Sequence, residues 1–261
     1  MVGHMSQRLS GKTALVTGST SNIGRSIAQL FAAEGAHVIV SGRDEARGES
    51  VVAGIRDRGG RADFIRADLD GSSKASKELA DAAVKALGGR LDVLVNNVGV
   101  YPPASTLTAD DDTFDLVYGV NVKAPFFLTQ AVVPLMARQG GGTIVNLGSW
   151  VARLGIGAGA LYASTKGAVE TLTRSWSAEF ASLGIRVNAV SPGVIRTPDL
   201  APDKEFPGAA LMLGTPAGQA GHPDAIASAA LYLASDDAEF VHGTVIDVDG
   251  GRVGVAVVAG V

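Results

Sequence analysis

Short runs of β-branched and apolar residues alternate with longer segments of helical period along the whole chain, and no other feature constrains the fold as tightly. The alternation predicts an α/β architecture, a parallel sheet covered by helices on both faces. Strand-like runs fall at residues 13–17, 37–41, 63–66, 93–96, 143–147, 186–190 and 244–248, which suit one seven-stranded sheet. Helical segments lie at 23–34, 45–58, 74–87, 109–120, 125–137, 161–183 and 224–233. Asp44 suits a helix cap and Pro223 a first helical turn. A single helix separates the first two strands, the shortest connection that returns a chain parallel, and such crossovers are right-handed. Residues 199–218 break the rhythm with prolines and glycines around a small apolar patch, the composition of a lid or binding loop.

The chain has 261 residues, a length that one large domain accommodates. Met1, Val2, Gly3, His4 and Met5 look like a cloning remnant, so residues 1–11 read as a tail and 12–261 as a single domain. Lysine and arginine total 22 against 26 acidic residues, a net charge of −4, which excludes a general nucleic-acid binder. With no cysteine there is no disulfide, thiolate nucleophile or iron–sulfur cluster. His4, His37, His222 and His242 are scattered without ligand spacing, so no metal site is expected. No run of eighteen apolar residues and no secretion-signal layout occurs, and the expectation is a cytoplasmic protein without a membrane span.

Glycine is abundant, 34 of 261 residues, without a collagen-like period. The run Gly18, Ser19, Thr20, Ser21, Asn22, Ile23, Gly24 carries the chain from a strand into a helix. Such a turn points backbone N–H groups and the positive helix end at an anion, commonly a dinucleotide pyrophosphate, although tight packing alone also produces one. Asn22 stands where a glycine is expected, and asparagine reaches the left-handed region more cheaply than most residues. The second strand ends in Ser41, Gly42 and Arg43, with no carboxylate before Asp44. An acid at 42 would bond a ribose diol and repel a 2′-phosphate, so Ser41 and Arg43 point to NADP(H) over NAD(H). Otherwise Arg43 is a solvated arginine beside a cap.

Tyr162 and Lys166 are four residues apart, on one helix face, where a cation can stabilise a phenolate. Alone, that spacing also fits a plain surface helix. Ser149 lies thirteen residues earlier, just past a strand, at the carboxyl edge where open α/β sheets bind ligands. A hydroxyl there can share the charge of a carbonyl oxygen as it becomes an alkoxide.

From Lys12 to about Gly251 the chain resembles the short-chain dehydrogenase/reductase family, with its Rossmann-type fold. The resemblance rests on motifs in family order: Thr17, Gly18 and Gly24; Asp68 and Leu69; Asn96, Asn97, Val98 and Gly99; Asn121; Ser149; Tyr162 with Lys166. It continues through Pro192, Gly193, Val194, Ile195, Arg196 and Thr197 to Asp247, Val248, Asp249, Gly250 and Gly251. It implies hydride transfer between nicotinamide and a carbonyl or secondary alcohol carbon, with Tyr162 as acid or base. Lys166 would lower the Tyr162 pKa and hold the nicotinamide ribose, Ser149 would polarise the carbonyl, and Asn121 would hold a relay water. Without the resemblance Asn121 reads only as a helix interruption ahead of Pro125. Asp68 and Leu69 would meet adenine, Asn96, Asn97 and Gly99 the adenosine ribose, and Pro192, Gly193, Ile195 and Thr197 the nicotinamide.

The substrate is less legible. Tyr101, Pro102, Trp150, Val151, Leu154, Ile156 and Leu211 to Leu213 suit either an apolar substrate pocket, under a lid near 197–218, or core and subunit packing. The chain looks most like 3-oxoacyl-thioester and carbonyl reductases, but carries Gln219 and Leu183 where relatives commonly have basic residues. Losing those charges weakens a dock for an acidic carrier protein and favours a free ketone. Relatives are mostly homotetramers, and the apolar tail from Val253 suits a subunit contact. The alternatives are an NAD-dependent alcohol or polyol dehydrogenase of the same fold and a non-catalytic cofactor-binding regulator.

Overall fold

A computed structural model of the chain describes residues 7–157, 159–198, 206 and 208–256. The apolar runs form β1 (Thr13–Val16), β2 (His37–Gly42), β3 (Arg61–Arg66), β4 (Val93–Asn96), β5 (Gly142–Leu147), β6 (Ile185–Pro192) and β7 (Val245–Val248). All neighbours pair in parallel, in the order β3-β2-β1-β4-β5-β6-β7. The central strands β1 and β4 are buried on both faces, as strands covered by helices on either side must be. β3 starts at Arg61, two residues earlier than the sequence suggests, because its register opposite His37 lets it pair along the full length of β2.

The helices are α1 (Asn22–Ala33), α2 (Glu45–Arg56), α3 (Ser73–Ala86), α4 (Asp111–Tyr118), α5 (Ala124–Arg138), α6 (Ala160–Phe180) and α7 (Pro223–Ala234). One apolar core packs Ile27, Phe31, Ile226 and Leu231 from α1 and α7 on one sheet face; a second packs Leu79, Leu128, Met136 and Trp176 on the other. Asp44 caps α2 as expected, accepting from Arg47 N at 3.0 Å. By contrast α1 has no side-chain cap and no acid in its first turn.

The helix interruption expected at Asn121 takes the form of a π turn, Gly119–Lys123, which joins α4 to α5 without a loop. The Asn121 amide is satisfied by Val100 O on the loop after β4 and Thr165 Oγ1 on α6. The joined run Asp111–Arg138 is long and apolar enough to cross a membrane by length and composition alone, but 56% of its most apolar window is buried inside the fold, as in a core helix. It packs on α3 as a core element.

Residues 1–6, 158, 199–205, 207 and 257–261, which include the tag-like start, part of the expected lid and the end of the apolar tail, lie outside the described residues. The rest of the lid forms a short 3-10 turn, Ala209–Met212, whose Met212 is buried while Leu211 and Leu213 face out. The sheet reverses strand order between β1 and β4, which opens a crevice at their carboxyl ends, the place where doubly wound sheets bind ligands.

Candidate active site

A cavity of about 450 Å³ fills that crevice, walled by the turn from Gly18 to Gly24, by Ser41, Gly42 and Arg43, by Asp68 and Leu69, and by Asn97 and Gly99. The turn is closely packed on itself. Its glycines close on one another: a Cβ on Gly24 would lie 2.3 Å from Gly18 O. Asn22 takes the left-handed conformation, φ +44°, that the missing glycine would have supplied. Asn97 Nδ2 ties the turn to β4 by donating to Thr17 O at 2.8 Å and Gly18 O at 3.0 Å. The uncapped N-terminus of α1 and the buried, unpartnered Asn22 Oδ1 leave polar groups unpaired on this wall, which fits a dinucleotide's phosphates and ribose hydroxyls.

At the inner end Gly99 joins the cavity to the chemistry. A Cβ on Gly99 would lie 3.5 Å from Asn121 Oδ1 and 3.7 Å from Lys166 Nζ. Asn121 Oδ1 accepts from Val100 N at 2.8 Å, and its Nδ2 donates to Val100 O and Thr165 Oγ1. Lys166 Nζ donates to Leu147 O at 2.8 Å and lies 5.6 Å from the centre of the Tyr162 ring. Ser149 is buried just past β5 and acts on the Tyr162 hydroxyl, favouring its ionised form.

The family profile described as enoyl-(acyl carrier protein) reductase matches residues 18–252. The chain is a short-chain dehydrogenase/reductase. It is therefore an oxidoreductase of a family that works with NAD(P)(H). It is 38% identical over 246 residues to a 3-oxoacyl-[acyl-carrier-protein] reductase of Thermotoga maritima, covering 94% of this chain and 99% of that protein. It is 37% identical over 250 residues to a 2,5-dichloro-2,5-cyclohexadiene-1,4-diol dehydrogenase of Sphingobium indicum, covering 95% and 98% respectively. Among solved structures, a 7α-hydroxysteroid dehydrogenase complexed with NADH and 7-oxo glycochenodeoxycholic acid superposes with a TM-score of 0.87 at 36% identity, covering 96% of this chain and 98% of that one.

Three expectations for this short-chain dehydrogenase/reductase change in three dimensions. Burial, the largest influence, pushes the Tyr162 phenol up to about 12, with hydrogen bonding to Ser149 opposing it. The ammonium that was expected to lower it is itself pushed down by burial, to about 8. Asn96 turns away from the cavity: it shares the face of Leu94, and its Nδ2 donates to Asn146 Oδ1 at 2.9 Å inside the second core. Ser19 is also spent internally, its Oγ donating to Val16 O and accepting from Ser41 N. Gly42 makes room for the Thr20 side chain, whose Cγ2 would lie 2.7 Å from a Cβ at that position.

Arg43 stands at the cavity rim, its Nε 3.9 Å from Asp68 Oδ1, both side chains well exposed. Pro192, Gly193, Ile195 and Thr197 carry the chain beyond the sheet edge. Gly193 approaches Asp249 so closely that a Cβ would lie 2.5 Å from its Cα, and Ile195 lines a neighbouring cavity of about 280 Å³. Trp150 and Val151 are buried, with Arg252 over the Trp150 ring at 5.4 Å, so Trp150 packs against the chain's own C-terminal segment. Among the described residues no group of three or more acidic or histidine side chains could hold a metal.

Sequence reasoning missed three features. Thr17 Oγ1 accepts from both Asn97 N and Val98 N, which makes it the hinge pin of the turn. Leu116 and Val120 line the cavity from the α4 side, a placement their four-residue spacing hinted at. Arg153 joins Asp247 on β7 to Glu170 on α6, two elements that nothing in the sequence pairs.

Proposed function

We propose that the chain interconverts a ketone and a secondary alcohol, with Tyr162 as acid and base and NADP(H) as the preferred cofactor. The observation that carries this reading is the placement of Ser149 and Lys166 beside Tyr162, with Lys166 and Asn121 meeting at Gly99 on the cavity wall. Gly18, Thr20, Ser21, Asn22, Ile23, Gly24, Asn97 and Gly99 would hold the dinucleotide, with Asp68 and Leu69 at its adenine end. When bound, the cofactor supplies or accepts the hydride at its nicotinamide ring.

The chain's own residues manage the proton. In reduction the Tyr162 hydroxyl gives its proton to the substrate oxygen, and the Ser149 hydroxyl donates to the same oxygen as charge builds on it. A phenol held near 12 is a secure donor at neutral pH, and it stays protonated until the substrate oxygen demands the proton. The Lys166 ammonium over the Tyr162 ring then stabilises the phenolate, and Asn121, held by Val100 and Thr165, marks the route by which the proton is replaced.

Support for NADP(H) is the absence of a carboxylate at position 42, with Ser41 and Arg43 on the cavity wall. An NAD-dependent alcohol dehydrogenase is the second reading: Asp68 faces Arg43, and the solved 7α-hydroxysteroid dehydrogenase holds NADH. Titrating both reduced cofactors by fluorescence decides between them. Tighter NADPH binding that Arg43→Ala weakens supports the first reading, and tighter NADH binding indifferent to Arg43→Ala supports the second. Exposed, uncharged Leu183 and Gln219 favour a free ketone over a carrier-bound thioester. The reading includes a cytoplasmic homotetramer; Leu107 and Phe240, 95% and 96% exposed, supply apolar surface for assembly.

A further inference from the structure

Tyr101 lies on the loop after β4, two residues beyond Gly99. Its ring centre is 4.7 Å from that of Tyr162, the planes tilted by 54°, a favourable geometry for an aromatic pair. The position is prepared by Gly159, the residue just before α6. Gly159 has φ +81°, and a Cβ there would lie 2.9 Å from both Cε2 and Oη of Tyr101. Glycine at 159 therefore meets two demands together, a left-handed backbone and a seat for the phenol ring. Although pinned on these sides, Tyr101 is 56% exposed, so much of the ring surface remains uncovered beside a half-buried Tyr162.

We propose that Tyr101 is a specificity-determining residue: seated on Gly159, it covers one side of Tyr162 and offers its open ring surface to a flat cyclic ketone or alcohol rather than to a flexible acyl chain. This rests on Tyr162 being the acid and base. A flat ring stacks on an aromatic platform without freezing torsions, whereas an acyl chain laid on the same surface gives up rotational freedom. The groups facing Tyr162 are Lys166 from its own helix, Ser149 from the segment after β5 and Tyr101 from the loop after β4. Lys166 and Ser149 bear on proton transfer, which leaves Tyr101 as the neighbour free to select.

The test compares wild type with Tyr101→Phe, Tyr101→Ala and Gly159→Ala, using near-planar cyclopentanone and open-chain 2-pentanone with whichever cofactor supports turnover. Wild type is expected to prefer the cyclic ketone in kcat/KM. Tyr101→Ala is expected to cut that preference about 10-fold, mainly through KM, the size expected for one aromatic contact. Tyr101→Phe should keep the preference, and Gly159→Ala should lose it by displacing the ring. In parallel, phenol absorbance is titrated on the cofactor-free proteins, and Tyr101→Ala should lower the midpoint of the buried tyrosine. A wild type that prefers the open-chain ketone, or a Tyr101→Ala variant with unchanged preference, overturns the inference. If wild type turns over neither ketone, the ketone reading fails by itself, and an unchanged phenol midpoint in Tyr101→Ala then overturns the role of Tyr101.

Discussion

The Lys166 ammonium lies 5.6 Å from the centre of the Tyr162 ring while donating to Leu147 O at 2.8 Å. Burial drives the two groups in opposite directions, Tyr162 up to about 12 and Lys166 down to about 8, so each favours its neutral form.

Stability should therefore depend on pH through Lys166. Its pKa is lower in the folded protein, about 8 against 10.5, so the unfolded chain binds more protons between those values and stability falls as pH drops through that window. Urea unfolding of the cofactor-free protein between pH 8 and 10 should show a rising stability that Lys166→Met abolishes. Above pH 10 the raised Tyr162 pKa works the other way, and stability should fall as pH rises toward 12.

Tyr162→Phe removes the transferable proton and leaves the cavity wall intact. Turnover should drop by roughly 10²–10⁴-fold, the usual worth of a positioned general acid, with cofactor affinity nearly unchanged by fluorescence titration. Lys166→Ala should lower both turnover and cofactor affinity, because one ammonium serves Tyr162 and the cavity end beside Gly99.

Arg153→Ala leaves Glu170, 5% exposed in its side chain, without its guanidinium partner. Removing one member of a buried ion pair costs up to several kcal/mol, and the partial exposure of Arg153 and Asp247 reduces this to roughly 2–3 kcal/mol. Burial raises the Glu170 pKa above 4.5, so the folded state holds its proton longer and stability is lost as pH rises through the folded value. The variant's deficit, measured by urea unfolding, should thus be larger at pH 8 than at pH 5. Adding Glu170→Gln should recover part of it.

Gly24→Ala places a methyl 2.3 Å from Gly18 O, a backbone atom that cannot swing aside. Cofactor binding should be lost and the melting temperature lowered. Asn22→Gly relieves a left-handed residue and should leave stability within about 1 kcal/mol of wild type, whereas Asn22→Val should destabilise, since a β-branched residue strains at φ +44°.

The sheet was legible because its signal is local. Each strand is a short apolar run and each helix an amphipathic stretch, so existence and order could be read directly, while ends such as Arg61 depended on how far a neighbour extended. The Tyr162 and Lys166 pair was legible for the same reason, since four residues along a helix is a fixed geometry. Asn96 and Asn97 mark the limit of motif reading. Asn96 ends β4 and Asn97 opens the loop after it, and successive residues of extended chain point to opposite sides, so one polar pair divides between the second core and the cavity wall.

By itself, then, the sequence determined the doubly wound sheet, the glycine turn from β1 into α1 and the helix face carrying Tyr162 and Lys166, all set by spacing within one segment. Only the tertiary structure decided that Thr20 occupies the space over Gly42, that Arg153 links Glu170 to Asp247, and that Gly159 seats Tyr101 against Tyr162. Those relationships join residues from separate segments, and they exist only once packing has fixed the distance between the elements.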